Sequence, residues 1–206
     1  AGGTGGASGS HAAERLRRDV EGLVRRLTLP SEAVDASKAM SELAYDDAYV
    51  DGIVEAGGVG PLASHARDAA VPKLKENCLW CLHGIARKEQ LRPSLTAAGA
   101  ISVGVAALDA REDANVKVAA CALLWNLALD DANEMLIFDA GAVPLLLSVL
   151  RDGGADAKRR ASGALKSLVW TKEEIKAAVL KEGGVPLLVE LIKEGATDGQ
   201  KLQASS

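Results

Sequence analysis

DAGAVPLLLSVL, residues 139–150, is the stretch that decides the fold, because its opening recurs along the chain. Three other segments match that opening: EAGGVGPL (55–62), AAGAISVG (97–104) and EGGVPLLV (182–189). Their first glycines, with that of the opening stretch, are equally spaced at Gly57, Gly99, Gly141 and Gly183. Repeats of about 40–47 residues, a range that includes this spacing, are typical of helical solenoids. The spacing therefore predicts an all-α fold in which successive repeats stack and bury their apolar faces.

Local signals divide each repeat into three helices. The glycine that follows NEMLIFDA (133–140) ends a short first helix, where a left-handed cap favours Gly. Pro144 comes three residues later and suits the first turn of a second helix, PLLLSVL (144–150). The third helix is longer, as in NVKVAACALLWNLAL (115–129) of the preceding repeat. Capping boxes are predicted at two repeat starts, Asp131-x-x-Glu134 and Thr171-x-x-Glu174.

These runs resemble armadillo repeats, the units of β-catenin and importin-α, most clearly in AGAVPLLLSVL and ALLWNLA. The resemblance implies a right-handed α-α superhelix whose third helices line a concave groove that binds extended peptides or partner proteins. Three full repeats are expected between two partial ones, after a flexible Gly/Ser-rich tail or expression remnant at 1–13. The armadillo-like region is 14–206, with a partial repeat at 14–46, repeats at about 47–88, 89–130 and 131–171, and a partial repeat at 172–206.

Composition narrows the functional classes. A net charge of −4 lacks the basic excess of nucleic-acid binders, so no nucleic-acid partner is expected. No stretch of about 18 apolar residues occurs, so no membrane insertion is expected. Three cysteines, an odd number, argue against a disulfide framework and favour a reducing setting, the cytoplasm or the nucleus.

Cys78-x-x-Cys81 is the one motif that suggests chemistry, either as half of a zinc site or as a redox pair. In the register that the repeated glycines define, Cys78 shares its position with Ala36 and Ala120, and Cys81 shares its position with Ala39 and Leu123. Buried cysteine behaves as a small hydrophobic residue, so both thiols are predicted to pack in the core. With no second CxxC pair and no GxSxG motif, the chain is predicted to be non-enzymatic, with no catalytic residue, metal or cofactor.

The predicted binding face follows from helical spacing on the third helices, where positions four apart share a stripe. One such stripe combines the register position of Trp80 with that of Gly84. The predicted groove residues are Lys38, Glu42, Glu76, Trp80, Gly84, Asn126, Arg159 and Ser167. His83, Trp125 and Lys166 are predicted to lie at the groove edge.

The chemistry of that face leaves several functions open. Importin-α-like proteins repeat a Trp and an Asn four residues apart. Here Gly84 follows Trp80 at the position where Asn is expected, and Ala122 precedes Asn126 at the position where Trp is expected. A nuclear-signal receptor is therefore a minor alternative to a protein-binding scaffold. Charge alternates along the third helices, which predicts a ligand of mixed charge. The other alternative is a structural spacer, or the substrate-binding segment of a larger ubiquitin-ligase-type protein. The C-terminal face is expected to lack a polar cap, which favours self-association or a longer array.

Overall fold

The computed structural model describes residues 5–187, 189 and 193 of the 206-residue chain. Regular structure in these residues is helical, and no strand occurs among them. The chain divides into two compact units, residues 1–103 (the N-terminal unit) and residues 104–206 (the C-terminal unit). Within the described residues no single helix has the length and apolar character to cross a bilayer, and one pair meets both criteria only when joined, at a bend of 82°.

The helices follow one another in the predicted groups of three. The N-terminal unit contains α1 (Gly5–Leu27), α2 (Ala33–Leu43), α3 (Asp47–Glu55), α4 (Val59–Asp68), α5 (Pro72–Ala86), a 3-10 turn (Glu89–Leu91) and α6 (Arg92–Ala97). Helix α7 (Ala100–Ala106) spans the division between the units. The C-terminal unit continues with α8 (Ala114–Leu127), α9 (Asp131–Asp139), α10 (Ala142–Asp152), α11 (Ala155–Leu168) and α12 (Glu173–Lys181). Helices α2, α5, α8 and α11 are the third helices of successive repeats.

The four recurring glycines have the left-handed backbone that the sequence predicts. Their φ angles are 73° at Gly57, 84° at Gly99, 81° at Gly141 and 73° at Gly183. No other described residue has a positive φ. Side chains with a Cβ are strained in this region, so each repeat needs glycine between its first and second helices. The predicted cap is confirmed at all four positions.

The two predicted capping boxes are wrong. Asp130, one residue earlier than expected, caps α9 by accepting a hydrogen bond from the backbone N–H of Ala132 at 3.1 Å. Helix α12 begins after Lys172, whose side chain makes no capping bond. The hydroxyl of Thr171 instead donates to the carboxylate of Glu134. The local sequence resembles a cap, but a contact between α9 and the turn after α11 takes up the polar groups of Thr171 and Glu134.

Each unit is held by a pair of third helices and the second helix packed against them. In the N-terminal unit α5 packs on α2 and α4, and in the C-terminal unit α11 packs on α8 and α10. Asn77 is buried between α5 and α2, and its side-chain amide donates to the hydroxyl of Ser37 at 3.2 Å and to the carbonyl of Val34 at 3.3 Å. A buried amide needs such partners, so this contact fixes the pairing of the two helices.

The ends of the chain differ from expectation where they are described. Residues 5–13, predicted as a flexible tail, form the first turns of α1. Helix α1 continues through the predicted second helix at 16–27 and packs on α2 and α3. The partial third helix predicted from residue 196 lies outside the described residues.

Candidate functional site

The cysteines lie in the core and not in a site. Cys78, Cys81 and Cys121 are fully buried, which confirms the core positions predicted for Cys78 and Cys81. Burial raises the pKa of Cys78 and of Cys121 to about 12, because the thiolate would lose its water. Burial, and then the neighbouring Cys78, raise the pKa of Cys81 as well. Within the described residues no three His, Cys, Asp or Glu side chains converge as metal ligands.

In the N-terminal unit the predicted groove side chains lie on α2 and α5. Lys38 and Glu42 are exposed on α2, one turn apart. On α5, Glu76 is partly buried and pairs with Lys73 at 3.0 Å, and Trp80 is partly exposed one turn later. The face therefore offers both signs of charge beside an indole ring.

The expectation that Gly84 opens onto this face is wrong. Gly84 is buried, and a Cβ built there would lie 2.5 Å from the carbonyl oxygen of Ala44 and 2.6 Å from its Cβ. The chain that follows α2 passes directly over the glycine. Gly84 is thus a point of close helix packing and presents no surface to a ligand.

The partly exposed face of α5 instead includes His83, one of the predicted edge residues. The ring of His83 meets Trp80 edge-on, with centroids 5.4 Å apart, and meets Tyr45 with centroids 6.3 Å apart. The guanidinium of Arg87 lies 5.2 Å from the centroid of the Tyr45 ring, a cation–π distance. Trp80, His83 and Arg87 are three and four residues apart, so they share one face of the helix. We call these three residues and Tyr45 the Tyr45 cluster.

In the C-terminal unit the predicted groove residues occupy α8 and α11. Arg159 is exposed and pairs with Asp156 at 2.7 Å. Asn126 and Ser167 are partly buried. Ala122, at the register position of Trp80, is fully buried, so α8 places no large side chain at that position.

Trp125, a predicted edge residue, lies across the backbone of the neighbouring third helix. A Cβ built on Gly163 would lie 2.6 Å and 2.7 Å from the indole carbons Cδ2 and Cε2 of Trp125. The missing side chain at Gly163 is therefore the space that the indole fills. Gly163 has the register position of Trp80, and Trp125 has that of Ser41. At these two positions the N-terminal unit has Ser41 and Trp80, and the C-terminal unit has Trp125 and Gly163. Each unit therefore pairs one tryptophan with one small residue, but the tryptophan lies on the later third helix in one unit and on the earlier third helix in the other.

A cleft of about 420 Å³ opens beside Trp125 between the ends of α8 and α11. We call it the Trp125–Trp170 pocket. Its apolar walls include Leu129, which is 52% exposed, and Trp170, which is 76% exposed. Lys166, the third predicted edge residue, lies exposed at the pocket. The remaining lining residues are Ala128, Asp131, Glu134 and Ser167.

Glu134 is the buried polar group of this pocket. Its side chain is 3% exposed, accepts the hydroxyl of Thr171 and lies 3.9 Å from the ammonium of Lys172. These contacts join the start of α9 to the segment that follows α11. The carboxylate therefore has partners within the unit and fixes the floor of the pocket.

Tyr45, Arg87, Leu129 and Trp170 were missed by the choice of groove residues, although the sequence carries a signal for them. Tyr45, Arg87 and Leu129 occupy the same position in successive repeats, and Trp170 takes that position in the next repeat after a shift of one residue. Both ends of α11 show the same one-residue shift relative to the ends of α8. Extending the register comparison by one turn past the Trp125 position would have found this exposed row.

The fold has clear counterparts among solved structures. An engineered protein matches at a TM-score of 0.78 with 28% identity, over 84% of this chain and 72% of that chain. A designed armadillo repeat protein in complex with the peptide (KR)4 matches at 0.76 with 23% identity, over 84% and 74%. The fold is that of an armadillo repeat protein. Another armadillo match, from computationally designed proteins for modular peptide recognition, has a TM-score of 0.76 and 24% identity, over 84% and 74%.

The armadillo assignment comes from the structure and not from related sequences. No family model matches the chain, and no curated protein matches it. The assignment therefore rests on the helical architecture and on the glycine register.

Proposed function

We propose that this armadillo chain is a non-enzymatic scaffold that binds an extended peptide, or an extended segment of a partner protein, along its third helices. The observation that carries the proposal is the exposed row of large and charged side chains on those helices. Packing within each unit buries most of α5 and α8, yet it leaves Trp80 partly exposed and Trp125 exposed, and Lys38 on α2 and Arg159 on α11 are exposed as well. Exposed tryptophans next to polar groups are typical of binding hot spots.

The solved neighbours support this class of function. One of them is a designed armadillo repeat protein in complex with the peptide (KR)4, and another comes from proteins designed for modular peptide recognition. The likeness to each is below 25% identity, so their ligand does not transfer to this chain. The charge on the third helices points to a ligand of mixed sign, since Glu42 on α2 and Lys166 on α11 are both exposed.

The test begins with a random library of twelve-residue peptides selected on the full chain. Dissociation constants of the enriched peptides are then measured for Trp80→Ala and Arg159→Glu. Each variant has a matched control on another helix type: Leu136→Ala, which removes an exposed apolar residue from a first helix, and Arg151→Glu, which reverses an exposed charge on a second helix.

We expect one or both third-helix variants to weaken binding by about tenfold or more, because hot-spot truncations remove at least that much affinity. The two controls are expected to bind as the unmodified chain does. The proposal fails if no peptide is enriched, or if the enriched peptides bind both third-helix variants unchanged.

A second function, self-association, is favoured by a separate observation. Leu180, Val185 and Val189 are 64%, 44% and 43% exposed and follow one another in the last described repeat. Exposed apolar residues that lie close together on a surface mark interaction sites. Light scattering over a hundredfold range of concentration tests this, and a Leu180→Glu variant is expected to remove any rise in mass.

A further inference from the structure

The Trp125–Trp170 pocket exposes three large apolar side chains on one surface. Trp125, Leu129 and Trp170 are 36%, 52% and 76% exposed, and all three border the same cleft. Large exposed apolar patches rimmed by polar groups mark interaction sites. In the N-terminal unit the positions equivalent to Leu129 and Trp170 hold Tyr45 and Arg87, and the guanidinium of Arg87 lies 5.2 Å from the centroid of the Tyr45 ring.

The walls of the pocket are positioned by packing within the unit. The Trp125 indole lies against Gly163, so it cannot approach α11 more closely. Ala128, beside Leu129, is buried and anchors the end of α8. A preformed apolar wall binds with a smaller loss of entropy than one that must be ordered by its ligand.

The size of the pocket suits an anchoring side chain. Its volume of about 420 Å³ is within the range of sites that enclose small ligands. Most of its lining is apolar, and the buried carboxylate of Glu134 already has Thr171 and Lys172 as partners. The interior therefore favours an apolar occupant, because a cationic one would have to compete with Lys172 for Glu134.

The charges at the rim of the pocket determine which residues of a peptide should flank the apolar side chain. Lys166 is exposed on α11, and Asp131 is exposed at the first residue of α9. Both side chains line the pocket, on different helices. Rim charges of opposite sign select ligands with the complementary order of charges.

We propose that the Trp125–Trp170 pocket anchors a partner peptide through one large apolar side chain, which lies between an acidic residue facing Lys166 and a basic residue facing Asp131. This inference rests on the proposed peptide-binding function and assigns it a specific anchor. The anchor lies at the ends of α8 and α11, where Ser167, one of the predicted groove residues, also lines the pocket.

The chain offers a direct readout, because it contains three tryptophans. Their indole N–H signals in a nitrogen-15 correlation spectrum are assigned with the single variants Trp80→Phe, Trp125→Phe and Trp170→Phe. The probes are capped twelve-residue peptides with a central leucine between one glutamate and one lysine, synthesised in both charge orders. Control peptides carry alanine in place of the leucine.

We expect one charge order to shift the signals of Trp125 and Trp170 while that of Trp80 stays in place. Alanine at the centre is expected to weaken binding by about tenfold or more, as truncation of an anchor does. Trp170→Ala should weaken binding similarly, followed through the Trp125 signal, with Leu136→Ala as the control. Exchanging the rim charges through Lys166→Glu with Asp131→Lys should reverse the preferred order of charges.

Three results would overturn the anchor. These are no indole shift with any leucine peptide, equal shifts with the alanine peptides, and shifts confined to Trp80. The last result would leave the proposed scaffold function in place and reject only this pocket. Circular dichroism of each variant checks that the helices are retained, since Trp170 is 76% exposed and its removal is not expected to unfold them.

Discussion

The two units carry the same row of register positions, but they use it in different ways. In the N-terminal unit, His83 and Arg87 each lie against the Tyr45 ring, and with Trp80 they form the Tyr45 cluster. In the C-terminal unit, the equivalent positions hold Leu129, Lys166 and Trp170, which line an open cleft together with Trp125. The order of helices is shared, so the side chains at these positions account for the difference. A repeat fold sets where a surface lies, and the residues at those positions determine what it binds.

Tryptophan placement shows the same division. Trp80 comes from the later of the two third helices in the N-terminal unit, and Trp125 comes from the earlier one in the C-terminal unit. Gly163 makes room for Trp125, whereas the glycine next to the Trp80 stripe, Gly84, makes room for backbone. The Trp125 ring beside Gly163 can move outward, whereas the Ala44 backbone beside Gly84 cannot.

The largest expected effect tests that contrast. Gly84→Ala would place a Cβ 2.5 Å from the Ala44 carbonyl oxygen, and we expect a loss of about 3 kcal/mol in the free energy of unfolding. Gly163→Ala meets the partly exposed Trp125 ring at 2.6 Å, and we expect about 1 kcal/mol because the ring can shift. Urea unfolding measures both. Gly60→Ala, with no atom within 4 Å of its Cβ, is the control, and equal losses for Gly84 and Gly163 would contradict the contrast.

The second prediction concerns the floor of the pocket. Glu134→Gln removes a buried charge from Lys172 while keeping an acceptor for Thr171, and we expect a loss of about 2 kcal/mol. The matched control is Glu174→Gln, an exposed carboxylate in α12. The measurement is again urea unfolding. If the two variants lose the same stability, the buried contact of Glu134 is not the link that joins α9 to the chain after α11.

The third prediction uses the buried thiols. Burial raises the pKa of Cys78 and Cys121 from 9.0 to about 12, so between these values the unfolded chain loses protons that the folded chain keeps. Stability is therefore full below pH 9 and falls as the pH rises, by about 1.4 kcal/mol per pH unit for each thiol.

Two alanine variants distinguish the contribution of the thiol in the C-terminal unit from that of the two thiols in the N-terminal unit. Cys121→Ala should reduce the alkaline slope by the share of one thiol, and Cys78→Ala with Cys81→Ala by twice as much, because the pKa of Cys81 is raised too. Unfolding free energies between pH 9.5 and 10.5 give the slopes. Unchanged slopes would mean that the thiols are accessible to water in the folded chain.

The sequence predicts the repeat and the core well, because both depend on local rules that recur. A glycine forced to positive φ recurs once in every repeat, and Cys78 is buried because its register equivalents are small. Gly84 was misplaced for a different reason. Helical spacing puts it on the Trp80 stripe, but the path of the chain after α2, which covers it, depends on how two helices cross.

The Trp125–Trp170 pocket could not be predicted for the same reason. Its walls come from the ends of two helices that belong to successive repeats, and its depth depends on the close approach that Gly163 permits. The capping boxes failed because Glu134 is used by Thr171, a contact between distant segments. Register identifies which residues share a position, whereas helix packing determines which of them meet.

Photo-cross-linking tests the central claim, that the third helices carry the ligand, most directly. Peptides enriched on the full chain are synthesised with a benzophenone at one position, irradiated with the protein and mapped by mass spectrometry. We expect cross-links on the exposed faces of α2, α5, α8 and α11, including Trp80 and the walls of the Trp125–Trp170 pocket. Cross-links concentrated on the second helices α4 and α10 would contradict the central claim.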